Sequence, residues 1–550
     1  MLAQYRTAMS VTRFVNGSIF TADRDRAQPW VSSLAIEDDR IASVGETSAV
    51  AEAYPNATVV DLEGRTLLPG LIDAHNHFLS TGESLASIDT RSLGRTNREF
   101  LYEKLRAAAA TAPAGSTITA YGLDPDKFVD GAIDRWELDR VVPEHRVLIY
   151  HVSGHGAVAN SAVLVAAGID RDTVDPVGGW FVRDTSGTPN GWCFDAALSA
   201  LAPVAVEIGA HGPNFHALIS NDELHAAILR AQSAFFAAGL TSVCDAQVTL
   251  REMAAYQRAH AAGELKIRTV CMPLSHQLDE YLALGLSSGF GDELLAIGPI
   301  KFYADGSLSG GTAYFCDPYE QSADAHGGGH GHLLRPMAEI SQDLIRASEA
   351  GWRVGVHAIG DAAIAELLPA LEAAAAVHPT GDLRPRIEHA ELPPQELLER
   401  LAFVEMIAVT QPSYLYEMGE QYIERIGDRA VRLMPLRSML DAGIRVVISS
   451  DSDVASYRPL DTIAAAMTRT SVTGRSMGSE QVLSLDEALC AHTVDAAYAI
   501  GREADLGVVK PGLLADFTIV DGDLRSVEPA AIRELSIAGT MVGGTWMFQR

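Results

Sequence analysis

The sequence predicts an α/β fold, a (β/α)8 TIM-type barrel joined to a small β-domain, on three observations. Apolar strand-like runs alternate with alanine-rich helical stretches through the middle of the chain, and this alternation is typical of parallel strands covered by helices. Eight such runs occur, which is the number that closes a barrel of this type. In addition, β-rich segments stand at both ends of the chain.

Each of the eight runs is short, and helical stretches such as residues 336–351 and 361–377 separate the later ones. The predicted strands are Leu71–Ala74, Thr241–Cys244, Ile267–Cys271, Ile300–Tyr303, Arg353–Val356, Arg386–Glu388, Met406–Thr410 and Arg445–Ser449. Barrel enzymes place their catalytic groups at the C-terminal ends of the strands. The residues that follow these runs are therefore the first candidates for a site.

Two regions stand outside this pattern. Residues 11–69 and 505–550 are rich in β-type runs and turns, and each is too short to bury a core alone. We expect them to form one composite β-sandwich, with the barrel over residues 70–504. The interval of about 79–235, after strand 1, is much longer than a crossover needs and predicts an inserted cap subdomain.

The composition excludes several classes of protein. With a formal net charge of −29, the chain repels nucleic-acid phosphates and anionic lipids, so we expect no nucleic acid and no membrane as partner. No run reaches the roughly 20 apolar residues that span a bilayer, and no secretory signal is recognisable. We therefore expect a cytoplasmic protein with a small-molecule substrate, and a homo-oligomer remains open. The cysteines show no paired spacing for disulfides or a thiolate metal site.

A glycine-rich stretch at residues 325–332 carries His326, His330 and His332. Three histidines so close together invite a metal-binding interpretation. Glycine-rich flexibility opposes a preorganised site, however, so we predict a mobile loop.

The first candidate site residues follow strands 1 and 4. His75 and His77 share one face of an extended segment and can hold one metal ion together, although such a pair is weak evidence alone. Lys301 ends an apolar strand, where a buried lysine needs a partner. A salt bridge to Asp305 is one interpretation. The other is a neutral lysine that reacts with carbon dioxide to give a carbamate, an anionic metal ligand.

The remaining candidates follow strands 5, 6 and 8. His357 and His389 could each be a core histidine, whereas Asp451 ends an apolar run where a carboxylate needs a cation or several hydrogen bonds. Asp453 lies further past the strand end and is the weaker alternative. Six metal-compatible groups, in the order His-x-His, Lys, His, His, Asp, together indicate a metal site.

Five segments carry a resemblance to a known family: GLIDAHNH, IKFYADGSLSGGTA, VHAIGD, RIEHAEL and SSDSDV. They resemble the amidohydrolase superfamily, and within it family 3, which includes N-substituted formamide deformylase. The resemblance extends over nearly the whole chain. SSDSDV departs from the pattern, in which a glycine precedes the aspartate and a proline follows it; this alters the loop but keeps Asp451.

The resemblance implies a barrel with a composite β-sandwich, one or two divalent ions, zinc first among them, and hydrolysis of an amide-like carbon–nitrogen bond. Its implied roles are His75 and His77 for the more buried ion, His357 and His389 for the second, Lys301 as a carboxylated bridge, and Asp451 as ligand and proton acceptor. A divalent ion lowers the pKa of bound water towards roughly 7, so hydroxide becomes available as the nucleophile.

Residues of the predicted rim loops are candidates for substrate binding. Aromatic side chains there favour an apolar or aromatic substituent on the substrate. The candidates are Trp180, Trp192, Tyr314, Phe315 and Tyr414, together with His155 and Asn160 from the insertion. For the two insertion residues, turn or capping roles are equally compatible with the sequence.

Two alternatives remain at this stage. A deaminase acting on an aminopurine or aminopyrimidine would commonly use one metal without a lysine bridge, so Lys301 argues against it. A non-catalytic barrel acting as a scaffold predicts gaps in the ligand set, and the sequence has none.

Overall fold

A computed structural model of the chain describes residues 11–92, 94–201, 204–216, 218–320 and 329–550. His326 lies outside these residues. The fold is mixed α/β. Its described strands are β1 (Val11–Val15), β2 (Ser18–Phe20), β3 (Trp30–Val31), β4 (Ser33–Glu37), β5 (Arg40–Gly45), β6 (Thr58–Asp61), β7 (Thr66–Pro69), β8 (Leu71–Asn76), β9 (Ile88–Asp89), β10 (Thr117–Leu123), β11 (Arg146–His151), β12 (Gly156–Ala159), β13 (Gly179–Arg183), β14 (Pro189–Asp195), β15 (Leu240–Val248), β16 (Arg268–Pro273), β17 (Leu295–Ile297), β18 (Ile300–Tyr303), β19 (Val354–Ala358), β20 (Arg386–His389), β21 (Ile407–Thr410), β22 (Arg445–Ile448), β23 (Phe517–Val520), β24 (Ile537–Val542) and β25 (Thr545–Gln549).

Helices connect and cover these strands. The described α-helices are α1 (Thr47–Ala53), α2 (Phe78–Ser84), α3 (Glu99–Ala109), α4 (Arg135–Val141), α5 (Ser161–Ala167), α6 (Asn221–Ala237), α7 (Leu250–Ala261), α8 (Leu278–Ala283), α9 (Met337–Glu349), α10 (Asp361–Val377), α11 (Leu398–Phe403), α12 (Ser413–Glu417), α13 (Gly419–Ile426), α14 (Leu436–Asp441), α15 (Pro459–Thr468), α16 (Leu485–Ala491) and α17 (Val494–Ala499). Among the described residues, no helix is both long and apolar enough to cross a lipid bilayer.

The eight strands predicted for the central region are all present, with ends shifted by a few residues, and they form two parallel sheets. One sheet has the order β17-β16-β15-β8 and the other β18-β19-β20-β21-β22. Strand β17 was not predicted, and it pairs with β16 at the edge nearest β18. A single parallel bridge joins Leu274 to Lys301 there. On the opposite side, Asp451 N donates to His75 O at 2.9 Å, which links the end of β22 to β8.

These strands are apolar because both of their faces are covered. Every residue of β8 and β15 is buried, as expected for parallel strands with helices on one side and packed side chains on the other. The helices begin where the sequence supplies caps. Ser220 and Glu223 form a capping box at the start of α6, and Ser484 and Glu487 form another at α16.

Both chain ends contribute to one six-stranded sheet of order β25-β24-β23-β7-β2-β3, in which β7 pairs antiparallel with β23. A four-stranded sheet, β5-β4-β1-β6, packs against it, and the rings of Phe14 and Phe517 meet edge-on with centroids 5.8 Å apart. The side chain of Arg268 in β16 forms a buried bidentate ion pair with Asp516, at 2.6 and 3.0 Å. The terminal sheet therefore contacts the central strands directly, while the exact domain boundaries stay a prediction.

The long interval after β8 carries a six-stranded sheet of its own, of order β13-β14-β12-β11-β10-β9. Strands β10 and β11 are parallel, and the rest of the sheet from β11 to β13 is antiparallel. The turn between β11 and β12 contains His155 and lies at the pocket described below.

Candidate metal centre and substrate pocket

Side chains from the ends of several central strands line one pocket. Five of the six residues predicted as metal ligands are part of its wall: His75, His77, His357, His389 and Asp451. The ring centroids of His357 and His389 are 4.5 Å apart, and those of His75 and His389 are 5.0 Å apart. Although up to 376 positions separate them along the chain, the fold brings these residues together.

Three of these side chains form a candidate metal site. His75, His77 and Asp451 each offer one ligand atom, and these atoms lie within 4.8 Å of one another. Asp451 Oδ1 is 3.2 Å from His75 Nε2 and 3.0 Å from His77 Nε2. Within the described residues, His75 Nε2 and Asp451 Oδ1 are buried without a well-formed hydrogen bond. Buried nitrogen and oxygen atoms that converge in this way fit a divalent cation.

Glu388 orients His75. Its Oε2 accepts a hydrogen bond from His75 Nδ1 at 2.6 Å, which leaves Nε2 directed at the candidate site. Arg386 pairs with the same carboxylate at 2.7 and 2.9 Å, and both side chains are fully buried. Burial alone would raise the pKa of Glu388, but the charges of Arg386 and His75 hold it well below its usual range. Glu388 therefore stays a carboxylate.

Two other histidines are held in a similar manner. His389 Nδ1 donates to Gln411 Oε1 at 2.9 Å, and His357 Nε2 donates to Gly306 O at 2.9 Å. Each ring keeps its other nitrogen for a ligand. Burial, reinforced by neighbouring positive groups, lowers the pKa of both imidazoles, that of His389 to about 3. The neutral form that binds metal is therefore favoured.

Lys301 is fully buried, and its Nζ has no hydrogen-bond partner within the described chain. The Nζ lies 4.6 Å from the centre of the Tyr303 ring. Burial lowers the pKa of Lys301 to about 8, against the opposing charges of Glu388 and Asp451. Asp305 forms no ion pair with it and instead accepts backbone hydrogen bonds from the loops after β18 and β19. The interpretation of Lys301 as the partner of Asp305 in a salt bridge is therefore wrong.

Asp451 is held from both sides. Tyr414 donates its hydroxyl proton to Oδ2, while Oδ1 faces the two histidines. Burial would raise the pKa of Asp451, but the charge of His75 and the close contacts of the His75 and His77 nitrogens with Oδ1 hold it well below its usual range. The backbone of Asp451 has φ of 52°, and that of His389 has φ of 75°. Such left-handed conformations are strained for non-glycine residues and are often found at functional sites.

The insertion adds His155 to the pocket wall. Its Nδ1 donates to Asp195 Oδ1 at 2.6 Å, and its ring centroid lies 5.2 Å from that of His357. Asn160 has a different position, outside the lining of this pocket. Its side chain caps α5 by accepting a hydrogen bond from Val163 N, and so takes the capping role that the sequence left open.

Of the five aromatic candidates, Tyr414 lines the pocket. Trp192 donates its indole proton to a backbone carbonyl at 2.7 Å and packs in the core of the insertion. Trp180 stacks on another ring of the insertion with centroids 5.4 Å apart. Phe315 is fully buried in the central core, and Tyr314 packs against that core. The structure does not bring these four to the pocket.

The two described histidines of the glycine-rich stretch, His330 and His332, do not join the candidate metal site. His330 Nδ1 donates to a backbone carbonyl at 3.1 Å. His332 contacts the Trp180 ring with centroids 5.2 Å apart, and its Nε2 is 3.9 Å from Asp195 Oδ2.

Two acidic residues near the site were not predicted. Glu388 stands in RIEH, where its position two residues from Arg386 signalled a charge pair on one face of a buried strand. Glu391 lines the pocket and is 1% exposed, and neither of its carboxyl oxygens has a hydrogen-bond partner in the described chain. Burial, together with the charges of Asp305 and Asp451, raises the pKa of Glu391 to about 8.

Comparison with known proteins gives the family. Residues 58–548 match the amidohydrolase family. N-substituted formamide deformylase of Arthrobacter pascens is 28% identical over 99% of both chains. The protein LONG AFTER FAR-RED 3 of Arabidopsis thaliana is 31% identical over 97% of this chain and 91% of its own. An uncharacterized metal-dependent hydrolase from Pyrococcus horikoshii has a similar fold, with a TM-score of 0.73 at 24% identity over 98% of this chain and 100% of its own.

The chain belongs to the amidohydrolase family. It is a hydrolytic enzyme that acts on carbon–nitrogen bonds. The family resemblance drawn from the five sequence segments is thereby confirmed.

Proposed function

We propose that this enzyme hydrolyses the carbon–nitrogen bond of a small N-substituted amide, with an N-substituted formamide as the first candidate. The observation that carries the proposal is the convergence of His75, His77 and Asp451, three buried side chains whose ligand atoms lie within 4.8 Å of one another in a pocket wall. The relative from Arthrobacter, which matches over 99% of both chains, supports the choice of substrate.

A divalent ion, zinc as first candidate, would be held by His75, His77 and Asp451, and a second by His357 and His389. When bound, such an ion supplies Lewis acidity, which lowers the pKa of water towards about 7 and polarises a carbonyl. The orientation of the histidine rings by hydrogen bonds on their opposite nitrogens supports this assignment.

Lys301 would join the two positions as a carbamate. The neutral Nζ attacks the carbon of carbon dioxide, an N–C bond forms, and one N–H proton leaves to water, so that the side chain ends in a carboxylate. The buried Nζ without a hydrogen-bond partner in the described chain supports this proposal. A protonated Lys301 would instead bring a positive charge close to the metal site.

Asp451 would carry the proton of the reaction. Its Oδ1 faces the histidines and serves as ligand, while Tyr414 holds the carboxylate through Oδ2. The oxygen of a water molecule attacks the amide carbon while the water gives up a proton to the Asp451 carboxylate. The protonated Asp451 then returns the proton to the leaving nitrogen as the C–N bond breaks. His155, held by Asp195 at 2.6 Å, would contact the substrate from the insertion.

We also propose that the two parallel sheets close into one (β/α)8 barrel. The bridge between Leu274 and Lys301 and the hydrogen bond from Asp451 N to His75 O support closure at the two seams. The composite β-sandwich over residues 11–69 plus 505–550 and the cap over about 79–235 belong to the same proposal. The enzyme would bind a small-molecule substrate, and it would bind neither nucleic acid nor membranes.

The test is hydrolysis by the purified, metal-loaded enzyme. N-benzylformamide should release formate and benzylamine, and it should react faster than acidic dipeptides, because the net charge of −29 disfavours anionic ligands. Removal of the metal with a chelator should abolish turnover, and re-addition should restore it. Faster turnover of acidic dipeptides would contradict the amide proposal, and ammonia release from an aminopurine or aminopyrimidine would favour the deaminase alternative.

A further inference from the structure

Glu391 is a buried carboxyl group that faces the pocket without a partner from the described chain. It follows β20, two residues after His389, and is 1% exposed. Within the described residues, neither Oε1 nor Oε2 has a hydrogen-bond partner, and no lysine, arginine or histidine forms an ion pair with Glu391. A carboxyl group in such a position has lost its hydration without compensation, and this is unusual enough in a folded protein to require an explanation.

Asp305 shows how this fold satisfies a buried carboxylate with a structural role. Its Oδ1 accepts from Ile359 N at 3.0 Å, and its Oδ2 accepts from Gly360 N and Tyr314 N at 2.9 Å each. Asp305 is absent from the pocket lining, whereas Glu391 is part of it. The contrast indicates that the partner of Glu391 reaches it through the pocket.

The surroundings of Glu391 define the chemistry of that partner. The strongest charges acting on its carboxyl group are those of Asp305 and Asp451, which are both negative. Tyr414 and Tyr422 line the same pocket, close enough that the charge of Glu391, after burial, helps to raise their pKa. A positively charged nitrogen beside Glu391 would favour the ionised form of its carboxyl group, and the carboxylate would then accept hydrogen bonds from that nitrogen.

The geometry points to Glu391 as a specificity residue that binds a positively charged nitrogen on the substrate. This inference rests on the proposed function, and it names the kind of amide: one whose substituent carries an ammonium group in addition to the scissile bond. A neutral substituent would leave Glu391 unpaired, and an anionic one would be repelled. Because charge-assisted hydrogen bonds are strong in a buried pocket, we expect about a 10- to 100-fold effect on kcat/KM.

The test compares two substrates of equal size. N-(para-aminomethyl)benzylformamide carries an ammonium group where N-(para-ethyl)benzylformamide carries a methyl group. Their kcat/KM values are measured with the metal-loaded wild-type enzyme, Glu391→Gln and Glu417→Gln. Glu417 is a matched control, because it is the chain neighbour of Met418 in the pocket wall, but its carboxylate accepts a hydrogen bond from Ser456 N and is not part of the pocket lining. Metal content is measured for each variant.

The expected result is a wild-type preference for the ammonium substrate of about tenfold or more, lost in Glu391→Gln through a higher KM and kept in Glu417→Gln, with metal content unchanged. Equal rates, or a preference for the ethyl compound, would overturn the role of Glu391 while leaving the proposed amide hydrolysis intact.

If neither compound is hydrolysed, the formamide proposal fails, and calorimetric titration of both compounds then decides the role of Glu391. Tighter binding of the ammonium compound that disappears in Glu391→Gln would support it. Equal binding, or none, would overturn it.

Discussion

Hydrogen bonds behind the candidate ligands decide which atoms face the pocket. Glu388 accepts a hydrogen bond from His75 Nδ1, and Gln411 accepts one from His389 Nδ1, so both rings direct Nε2 inward. His357 is reversed, because its Nε2 donates to Gly306 O and leaves Nδ1 for a ligand. Partners of this kind raise the basicity of a ligating imidazole and fix its orientation, and their loss typically lowers metal affinity about 10- to 100-fold.

Replacement of Asp451 by asparagine should separate the proton-accepting role of this side chain from its role as a metal ligand. The amide keeps an oxygen for coordination but cannot accept the proton of water, so Asp451→Asn should lower kcat about 10²- to 10⁴-fold while most of the metal stays bound. Steady-state kinetics beside metal analysis checks this. Tyr414→Phe, which removes only the hydrogen bond to Oδ2, should cause a smaller loss. A decrease in kcat below about tenfold for Asp451→Asn would require another base.

Lys301→Ala tests the bridging carbamate. If Lys301 joins two ions, the alanine variant should retain one ion or none per chain, whereas a structural lysine would affect only stability. Metal analysis and a thermal melt, with the exposed Lys266→Ala as control, distinguish the two cases. Full metal occupancy with near-normal turnover would contradict the bridged site and return the single-metal, deaminase-like alternative to first place.

At the scale of the element, short strands end in backbone conformations that the strand itself does not favour. His389, the last residue of β20, and Ala390, which follows it, have positive φ angles, and so does Asp451, three residues after the end of β22. A left-handed residue turns the chain sharply, so the side chains at the strand ends leave the alternation of the strand and reach the pocket. The packing of the surrounding sheet must hold these strained positions.

Helix α16 provides a test of local electrostatics. Glu487 closes its capping box and accepts two hydrogen bonds from Arg437, at 2.8 and 2.6 Å. The hydrogen bonds of Arg437 lead the causes that lower the pKa of Glu487 from 4.5 to about 2. Because the folded-state pKa is depressed, the stabilisation is fully present above about pH 4.5 and is lost as the pH falls towards about 2.

Glu487→Gln should therefore lower the free energy of unfolding at pH 7 by about 1 kcal/mol, a modest value because the pair is about one-third exposed to solvent. The difference in melting temperature from wild type should shrink between about pH 4.5 and about pH 3. Glu480→Gln, at an exposed site nearby, is the control. A difference that stays constant with pH would show that the charge of Glu487 is not the cause.

At the scale of the whole molecule, the two chain ends and the central strands depend on each other. Strand β7 from the N-terminal end pairs with β23 from the C-terminal end. The ion pair of Arg268 with Asp516 and the hydrogen bond from Thr518 Oγ1 to Gly239 O, at 2.6 Å, join that sheet to β16 and to the start of β15. Contacts at this junction therefore support β15 and β16, and β15 pairs with β8, whose C-terminal end carries His75.

Deletion of residues 511–550 should destabilise the entire enzyme and not only its terminal sheet. The deletion removes β23 to β25 and exposes apolar residues of β7, so we expect a large fall in melting temperature with loss of activity. Differential scanning calorimetry and the amidase assay check this. The single substitution Asp516→Asn is a smaller change, which leaves Arg268 buried without its charge partner. It should lower the free energy of unfolding by about 3–5 kcal/mol. Unchanged melting and activity in the truncated chain would contradict the composite domain.

Features that show as short residue patterns could be predicted from the sequence alone, and features without such a pattern could not. Because both of their faces are buried, the eight central strands could be recognised as apolar runs. The candidate ligands lie at or just after the ends of these runs: His75, Lys301, His357, His389 and Asp451. The extra strand β17 was missed because its three residues are too few to show a period. The aromatic candidates were harder still: Trp180 and Trp192 lie in strands β13 and β14 and not in rim loops, and nothing in the sequence separates a tryptophan that packs in a core from one that lines a pocket.

The sequence by itself therefore determined the α/β class, the positions of the eight central strands along the chain, the family and the metal-compatible residue types at the strand ends, because each depends on short patterns or on residue type. Only the tertiary structure decided which residues meet. Glu388 stands 313 positions from His75, and Asp195, which holds His155, belongs to the insertion. Such pairs form when distant strands pack side by side, and the lack of a protein partner for Glu391 could be recognised only once its neighbours were placed around it.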